Sequence, residues 1–249
     1  MLNFLNNLEN QMDQKQLFFS VVIPAHNEEK YIENTLTKIS NLNYPIEKFE
    51  VVVVENGSTD KTFEIVKKFE GGNIRVLKSE KGVSKAKNFG IKQISNLSDW
   101  IVFLDADTIL ESNFLKDLDL FLQKNSDKNL TVGTTSVKPL ENKSWQARMW
   151  MGMYDLVHKY TKVSYSIQIA KTSLMKKVKF NEKLRLAEDL QFIKDCLVYG
   201  KFFYFDTDAV LTSVRRFEKI GWIKLFVIWT WGSILWRFRD PEEDYPVIR

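Results

Sequence analysis

Between residues 18 and 104 the chain alternates short, unbroken apolar runs with segments whose apolar residues recur at helical spacing. No other feature limits the fold as much. Continuous apolar runs such as 18–24, 49–54, 74–77 and 100–104 read as strands buried on both faces. The intervening segments 28–40, 58–69 and 83–94 carry apolar residues such as Ile32, Leu36 and Ile39 on one helical face. Strands that alternate with helices predict an α/β fold: a mostly parallel sheet wound by right-handed crossovers. In such a sheet ligands bind beyond the carboxyl ends of the strands. Residues that carry chemistry are therefore expected directly after each apolar run.

They stand there. Pro24, Ala25, His26, Asn27 and Glu28 follow the first run, Glu55-Asn56-Gly57-Ser58-Thr59-Asp60 the second, and Asp105-Ala106-Asp107 the fourth. After residue 110 the alternation loosens. A helix is expected over 113–124, a strand over 130–137, a helix over 187–199 and a short strand over 202–205.

Composition narrows the function classes. The 249 residues are 44% hydrophobic and 27% charged, the balance of a globular chain rather than a disordered one. One cysteine and two histidines exclude a disulfide framework and Cys- or His-rich metal sites. Cys196, with no histidine near it in sequence, reads as a buried thiol, and His158 as a packing or acceptor-site residue. A net charge of +4 suits an anionic small molecule or a membrane surface better than a nucleic acid. The first 17 residues lack a basic stretch followed by an apolar run, so the expected compartment is cytosolic.

Two nucleotide signatures are missing, G-x-G-x-x-G and the P-loop, and so is the G-x-S-x-G nucleophile elbow of hydrolases. What is present is oxygen chemistry. Asp105 and Asp107 lie two residues apart at a strand end, so both point the same way. Two like charges there are unfavourable without a cation between them, and carboxylate oxygens suit Mg²⁺ or Mn²⁺, which also bind substrate phosphates. A lone D-x-D also fits a solvated turn. Ser58 or Thr59 can cap the following helix, and Gly57 permits a tight turn. Glu55 and Asn56 can serve that turn or hydrogen-bond a nucleobase or ribose. The segment 82–90, GVSKAKNFG, reads either as a surface helix with solvated lysines or as a helix start, with Lys85, facing a diphosphate.

As an ordered set these segments resemble family 2 glycosyltransferases of the GT-A fold, over roughly residues 18–216. Residues 20–29 look like the family's first strand and loop. Residues 55–60 are similar to its D-[DN]-G-S-T-D element, and 82–90 to its G-x-x-x-A-R-N-x-G helix. Residues 103–107 look like its F-L-D-A-D metal motif, and Glu188-Asp189 like its E-D pair. The resemblance implies a Rossmann-like nucleotide-binding half with a smaller acceptor-side half. It implies a nucleoside pocket lined by Pro24 to Glu28, Glu55 and Asn56. Asp105, Ala106 and Asp107 would meet ribose and a Mn²⁺ or Mg²⁺ ion, with Asp105 and Asp107 as ligands. Asp189 would be the general base of an inverting transfer from a nucleotide-sugar donor, UDP-linked by default, to a glycan or lipid-linked acceptor. The variants are a polyprenyl-phosphate sugar synthase and, from another class, a non-catalytic sugar-nucleotide-binding module at the membrane. A nucleotidyltransferase would call for a glycine-rich loop after the first strand, where this chain has none. Three departures stand out: Glu55 replaces Asp, Lys87 replaces Arg, and the segment 208–216 lacks the metal-binding His of many relatives. Thr212, Ser213 or water are candidate replacements there, and Arg215 and Arg216 are candidates for the diphosphate.

The domain reading is therefore an N-terminal segment 1–17, the GT-A domain 18–216 and an aromatic, basic tail 217–249. Residues 225–236 form a 12-residue uncharged run, shorter than the ~20 residues a membrane span needs. Four of the seven tryptophans lie in the tail, and residues 215–239 hold six basic residues against one acid. That pattern suits peripheral contact with the inner face of the membrane through 217–239, with a homodimer face as the alternative.

Overall fold

A computed structural model describes residues 16–140, 166–184, 187–222 and 224, with isolated positions between 149 and 162. Residues 1–15 of the N-terminal segment, His158 and the tail from residue 225 lie outside the described residues.

Seven strands form the main sheet: β1 (Phe19–Ala25), β2 (Phe49–Glu55), β3 (Ile74–Lys78), β4 (Trp100–Leu104), β6 (Leu130–Thr135), β8 (Ile167–Lys171) and β9 (Lys201–Phe205). Their order is β3-β2-β1-β4-β8-β6-β9. β3, β2, β1 and β4 are parallel neighbours, as the alternation predicts. β8 runs antiparallel to both β4 and β6, and β6 pairs with β9 in parallel. A second, three-stranded sheet pairs β5 (Thr108–Leu110), β10 (Val210–Thr212) and β7 (Lys138–Pro139) in the order β5-β10-β7. Among the described residues the connections are carried by helices α1 (Ile32–Ser40), α2 (Thr62–Lys67), α3 (Val83–Gln93), α4 (Phe114–Lys124), α5 (Glu188–Leu197) and α6 (Arg215–Ile220).

Every residue of β1, β2 and β4 is buried, because helices cover both faces of the sheet. On one face Ile32, Leu36 and Ile39 of α1 pack with Val21, Ile23, Val51 and Val53, joined by Leu115 and Leu118 of α4. On the other, Ala86 of α3 and Phe192 and Ile193 of α5 pack with Val22, Val52, Val54 and Phe103. α3 sits close to the sheet because Gly90 has no side chain. A Cβ there would lie 2.5 Å from Val22 Cγ1 and 3.4 Å from Val54 Cγ2. Helix propensity favours valine over glycine at position 90 by only a few tenths of a kcal/mol. Overpacking a fully buried strand residue costs more. Gly90→Val should therefore lower the unfolding free energy by about 2 kcal/mol, read as an earlier urea midpoint with unchanged slope.

Two expectations on local structure need correction. The helix expected over 58–69 begins only at Thr62, and neither Ser58 nor Thr59 caps it. Those residues tie the loop to β1 instead. The strand expected over 130–137 stops at Thr135.

Candidate active site

The order of the parallel strands reverses between β2-β1 and β1-β4, which opens a crevice at the carboxyl ends of β1 and β4. The residues after these strands fill its rim. The loop after β1 is fixed by the loop after β2. Asn56 N–H donates to the Ala25 carbonyl (3.0 Å), and His26 Nδ1 lies 3.1 Å from the Asn56 carbonyl. Asn27 takes a left-handed conformation (φ 55°), which its short amide side chain tolerates. Its backbone N–H donates to Ser58 Oγ (3.1 Å), and its Oδ1 accepts from the Thr59 N–H (2.8 Å). Glu28 and Glu29 donate their backbone N–H groups to Thr62 Oγ1 and Asp60 Oδ2. The hydrogen bonds to Thr62 and Glu29 draw the Asp60 carboxyl below the usual range although burial acts the other way.

Pro24 and Ala25 are the buried last residues of β1. Glu55 is buried and accepts from the Ser58 N–H through Oε1, so it closes the 55–58 turn. Asn56 is 2% exposed. Its Nδ2 points at the Gly82 carbonyl, 3.4 Å away, and its Oδ1 has no hydrogen-bond partner among the described residues. A buried acceptor left unmatched is costly, by about 1–3 kcal/mol, and marks a place where a ligand N–H is welcome.

After β4, Asp105 donates its N–H to Ser166 (3.0 Å), and the buried Ala106 carbonyl accepts from Thr35 Oγ1 of α1 (2.8 Å). The chain then enters β5, which pairs antiparallel with β10 so that Thr108 faces Thr212. Their hydroxyls lie 2.9 Å apart, and Ser166 Oγ is 3.0 Å from Thr212 Oγ1. Thr212 is thus committed to the strand pairing. The Ser213 N–H donates to the Asp107 carbonyl (3.3 Å). That register delivers Arg215 to the crevice. Its guanidinium lies 2.6 Å from Glu28 Oε1 and 3.0 Å from Asp107 Oδ2, and stacks on Tyr31 with 4.5 Å to the ring centre. Burial alone would weaken its charge, but Glu28 and Asp107 more than offset this and hold its pKa above the ordinary arginine value.

Asp189 enters from α5. The helix is pinned by an aromatic group in which Phe180 stacks on Phe192 (4.0 Å between rings) and both meet Phe103 edge-on. The side-chain amide of Asn88, on α3, bonds both the N–H and the carbonyl of Phe180 (2.9 Å each). Ala187, just before the helix, is held at φ 62°. Asp189 Oδ1 then accepts from Lys87 Nζ at 2.7 Å, and Lys87 also donates to Gln168 Oε1 (3.0 Å). Lys87 is 2% exposed. Burial pulls its ammonium down, but Asp189, Glu188 and Asp105 outweigh that and keep it protonated, above the ordinary lysine range.

The structure therefore brings Glu28, Asn56, Asp107 and Asp189 to one side of the sheet with the neighbouring loops. Lys85 stands apart: it is half-exposed and ion-paired with Glu80 (2.5 Å). Lys87 and Arg215 take the inner cationic positions. Arg215 is a candidate for the diphosphate on sequence grounds, whereas Lys87 is marked there only as a departure from a motif. A signal existed for Lys87, which lies between Ala86 and Gly90 on the small-residue face that contacts the sheet. Cys196 is buried as expected, and desolvation pushes its thiol up to about 12.

The donor set at Asp105 and Asp107 can be weighed against a divalent cation. Among the described residues no group of three or more His, Cys, Asp or Glu side chains gathers as a ready cage. Two carboxylates suffice for Mg²⁺-type sites that complete their shell with water and substrate phosphates. The residues fit an ion that arrives with a diphosphate.

Comparisons with known proteins agree with this geometry. The TarS poly(ribitol-phosphate) β-N-acetylglucosaminyltransferase of Staphylococcus aureus is 29% identical over 184 residues, which cover 70% of this chain and 31% of that protein. The minor teichoic acid biosynthesis protein GgaA of Bacillus subtilis is 26% identical over 210 residues, 75% of this chain and 46% of that protein. The chain thus spans less than half the length of these relatives. A crystal structure of S. aureus TarS 1–349 in complex with UDP superposes with a TM-score of 0.64 at 26% identity, covering 85% of this chain and 66% of that one. A mannosyltransferase from Pyrobaculum calidifontis, solved with GDP-Man and Mn²⁺, shares the fold with a TM-score of 0.65 at 16% identity, covering 96% and 73% of the two chains. Residues 20–184 match the family model described as glycosyl transferase family 2, a span that contains the loops after β1, β2 and β4. A GT-A sheet with paired carboxylates at its switch point and a match over most of its length place this chain in glycosyl transferase family 2.

Proposed function

We propose that the chain transfers one sugar from a nucleotide-sugar donor to an acceptor hydroxyl, with inversion at the anomeric carbon. The observation that carries this reading is Asp189 at the end of α5, gripped through one oxygen only. Oδ1 is held by Lys87 at 2.7 Å, and Oδ2 has no hydrogen bond among the described residues. A carboxylate fixed on one side and open on the other is built to accept a proton in a set direction.

The donor's base and ribose belong against the β1 and β2 loops, where the Asn56 acceptor stands unmatched among the described residues. The diphosphate lies toward Asp105, Asp107 and Arg215. As the acceptor oxygen bonds to the anomeric carbon, the bond to the diphosphate breaks and its electron pair leaves with the phosphate. The acceptor proton passes to Asp189 Oδ2. Arg215 is placed to share the charge that grows on the leaving group. A Mn²⁺ or Mg²⁺ ion held by Asp105 and Asp107 would supply Lewis-acid neutralisation of that charge.

UDP is the favoured nucleotide because TarS, 26% identical in its UDP complex, binds it. A polymer or lipid-linked acceptor is favoured by the names of the relatives. TarS acts on poly(ribitol-phosphate), and a Methanococcus voltae protein 33% identical over 51% of this chain acts on a dolichyl phosphate-linked sugar. Purified protein given UDP-GlcNAc, Mn²⁺ and a polyol-phosphate or polyprenyl-linked acceptor is expected to release UDP in step with acceptor glycosylation. UDP release with no acceptor that gains sugar would limit the activity to hydrolysis, and neither product would refute the transferase reading.

The tail carries the proposal of membrane contact. Among the described residues no helix is long and apolar enough to cross a membrane. Tryptophan with flanking Lys and Arg suits the interface at the inner membrane face, where each nearby basic residue gains ~1 kcal/mol on an anionic surface. Binding to anionic liposomes should weaken with salt, with charge reversal at Arg237 and Arg239, and with Trp229 and Trp231 changed to Ala. Indifference to liposomes at low salt, together with a stable dimer, would assign the tail to a protein interface instead.

A further inference from the structure

The Asp107 carboxylate is already neutralised by a cation of the chain itself. Arg215 spans Glu28 Oε1 at 2.6 Å and Asp107 Oδ2 at 3.0 Å, with its plane on the Tyr31 ring. We propose that Arg215 is a resident counter-ion which blocks metal binding by the empty protein. It exchanges Asp107 for the donor diphosphate when metal and nucleotide enter together. The inference rests on the metal-assisted reading above.

Three observations support the exchange. First, the placement is built, not incidental. The β5–β10 pairing and the Ser213 N–H on the Asp107 carbonyl fix the chain just before Arg215 against the carboxylate loop. The Arg215 N–H itself donates to Ser213 Oγ at 3.3 Å. Second, the grip is strong but not sealed. The Arg215 side chain is 27% exposed and that of Asp107 17%, so the guanidinium has room to turn. A guanidinium matches carboxylate and phosphate oxygens alike in geometry, so the same fork serves either partner. Third, the charges balance. A divalent cation on Asp107 replaces the Arg215 charge there. A diphosphate replaces the Asp107 charge beside Arg215, which keeps Glu28. No charge is left uncompensated in a partly buried crevice, where an unpaired one is costly.

The exchange makes metal binding depend on nucleotide for a reason beyond shared coordination. Without nucleotide the ion must displace Arg215, and the guanidinium then faces Glu28 alone. With nucleotide the displaced guanidinium finds phosphate oxygens. Arg215→Gln removes the competitor and the phosphate partner together. Its two effects should therefore have opposite signs.

The experiment titrates Mn²⁺ into nucleotide-free wild type and Arg215→Gln, followed by electron paramagnetic resonance of free Mn²⁺. UDP and uridine binding to both proteins are measured by calorimetry. Arg215→Gln should bind Mn²⁺ on the order of tenfold more tightly than wild type when no nucleotide is present, within the usual range of coupling between sites. It should bind UDP more weakly by a similar factor and uridine equally well. Lys38→Gln, which removes an exposed charge paired with Glu111, controls for net charge and should change none of these. Arg215→Lys keeps the charge and guards against a folding defect; its Mn²⁺ affinity should lie nearer wild type. Equal Mn²⁺ affinity of wild type and Arg215→Gln without nucleotide, in a protein that takes up Mn²⁺ once UDP is added, overturns the exchange. Failure of UDP-saturated wild type to take up Mn²⁺ overturns the metal-assisted reading itself.

Discussion

Asp189→Asn should lower the rate of sugar transfer by ~10²–10⁴-fold, the usual cost of removing a general base, and leave donor affinity unchanged. The substitution is nearly isosteric, so the Lys87 contact at 2.7 Å survives as a hydrogen bond to the amide oxygen. Lys87 keeps Gln168 at 3.0 Å and the field of Glu188 and Asp105, so the buried ammonium is not stranded. The melting temperature checks that point, because an uncompensated buried charge would destabilise the fold strongly. A rate loss with intact donor binding and intact folding assigns Asp189 to the acceptor step. A loss of donor affinity with little change in residual rate would place it in the donor site. Full activity of the variant would fit an acceptor that is already ionised, such as a polyprenyl phosphate, and would remove the base from the mechanism.

The second large effect is expected at Asp107. Asp107→Ala takes one of two carboxylates from a site that gathers no third His, Cys, Asp or Glu among the described residues. Lewis-acid stabilisation is worth several kcal/mol in the transition state. At 1.36 kcal/mol per tenfold, its loss is on the order of a hundredfold or more in turnover. Donor binding that depended on Mn²⁺ or Mg²⁺ should become indifferent to chelator. The fold should hold, since Arg215 retains Glu28 and the Asp107 backbone contact to Ser213 is untouched. Unchanged turnover of chelator-treated wild type would contradict the metal role.

The parts of this architecture that the sequence makes legible are those where local pattern and burial coincide. β1, β2 and β4 are buried on both faces, so their apolar runs are uninterrupted and their ends fall where the chemistry begins. The D-x-D segment and the 55–60 turn are found from those ends, whereas Asp189 is reached only through the resemblance of Glu188-Asp189 to the family's E-D pair. Legibility fails where pairing is short or distant. β5 and β10 have three residues each and β7 two, too few to show a period. β8 hides because Gln168 and Lys171 break its apolar run, although Gln168 is buried to hold Lys87. α2 starts late because the Ser58 hydroxyl and the Thr59 N–H bond the β1 loop, while Asp60 accepts from both the Glu29 N–H of that loop and the Thr62 N–H that opens the helix.

The two cations divide along the same line. Lys85 stands at the helix start, where a sequence reading looks for a phosphate ligand, yet it pairs with Glu80 on the surface. Lys87 is inside because its partners arrive from β8 and α5, 81 and 102 residues later in the chain. Arg215 reaches Glu28 across 187 residues. No local period reports a contact of that span; only the closed sheet does.

The central claim is that the switch-point crevice is a nucleotide-sugar site completed by a divalent ion. The most direct measurement is calorimetric titration of the purified chain with a panel of nucleotide sugars, each with Mn²⁺, with Mg²⁺ and with chelator. Saturable binding of one nucleotide sugar is expected in the presence of metal. That binding should persist in Asp189→Asn and disappear in Asp107→Ala. A folded wild type that binds none of the panel, or a donor affinity that is the same in Asp107→Ala and in chelator as in the wild type with metal, would contradict it.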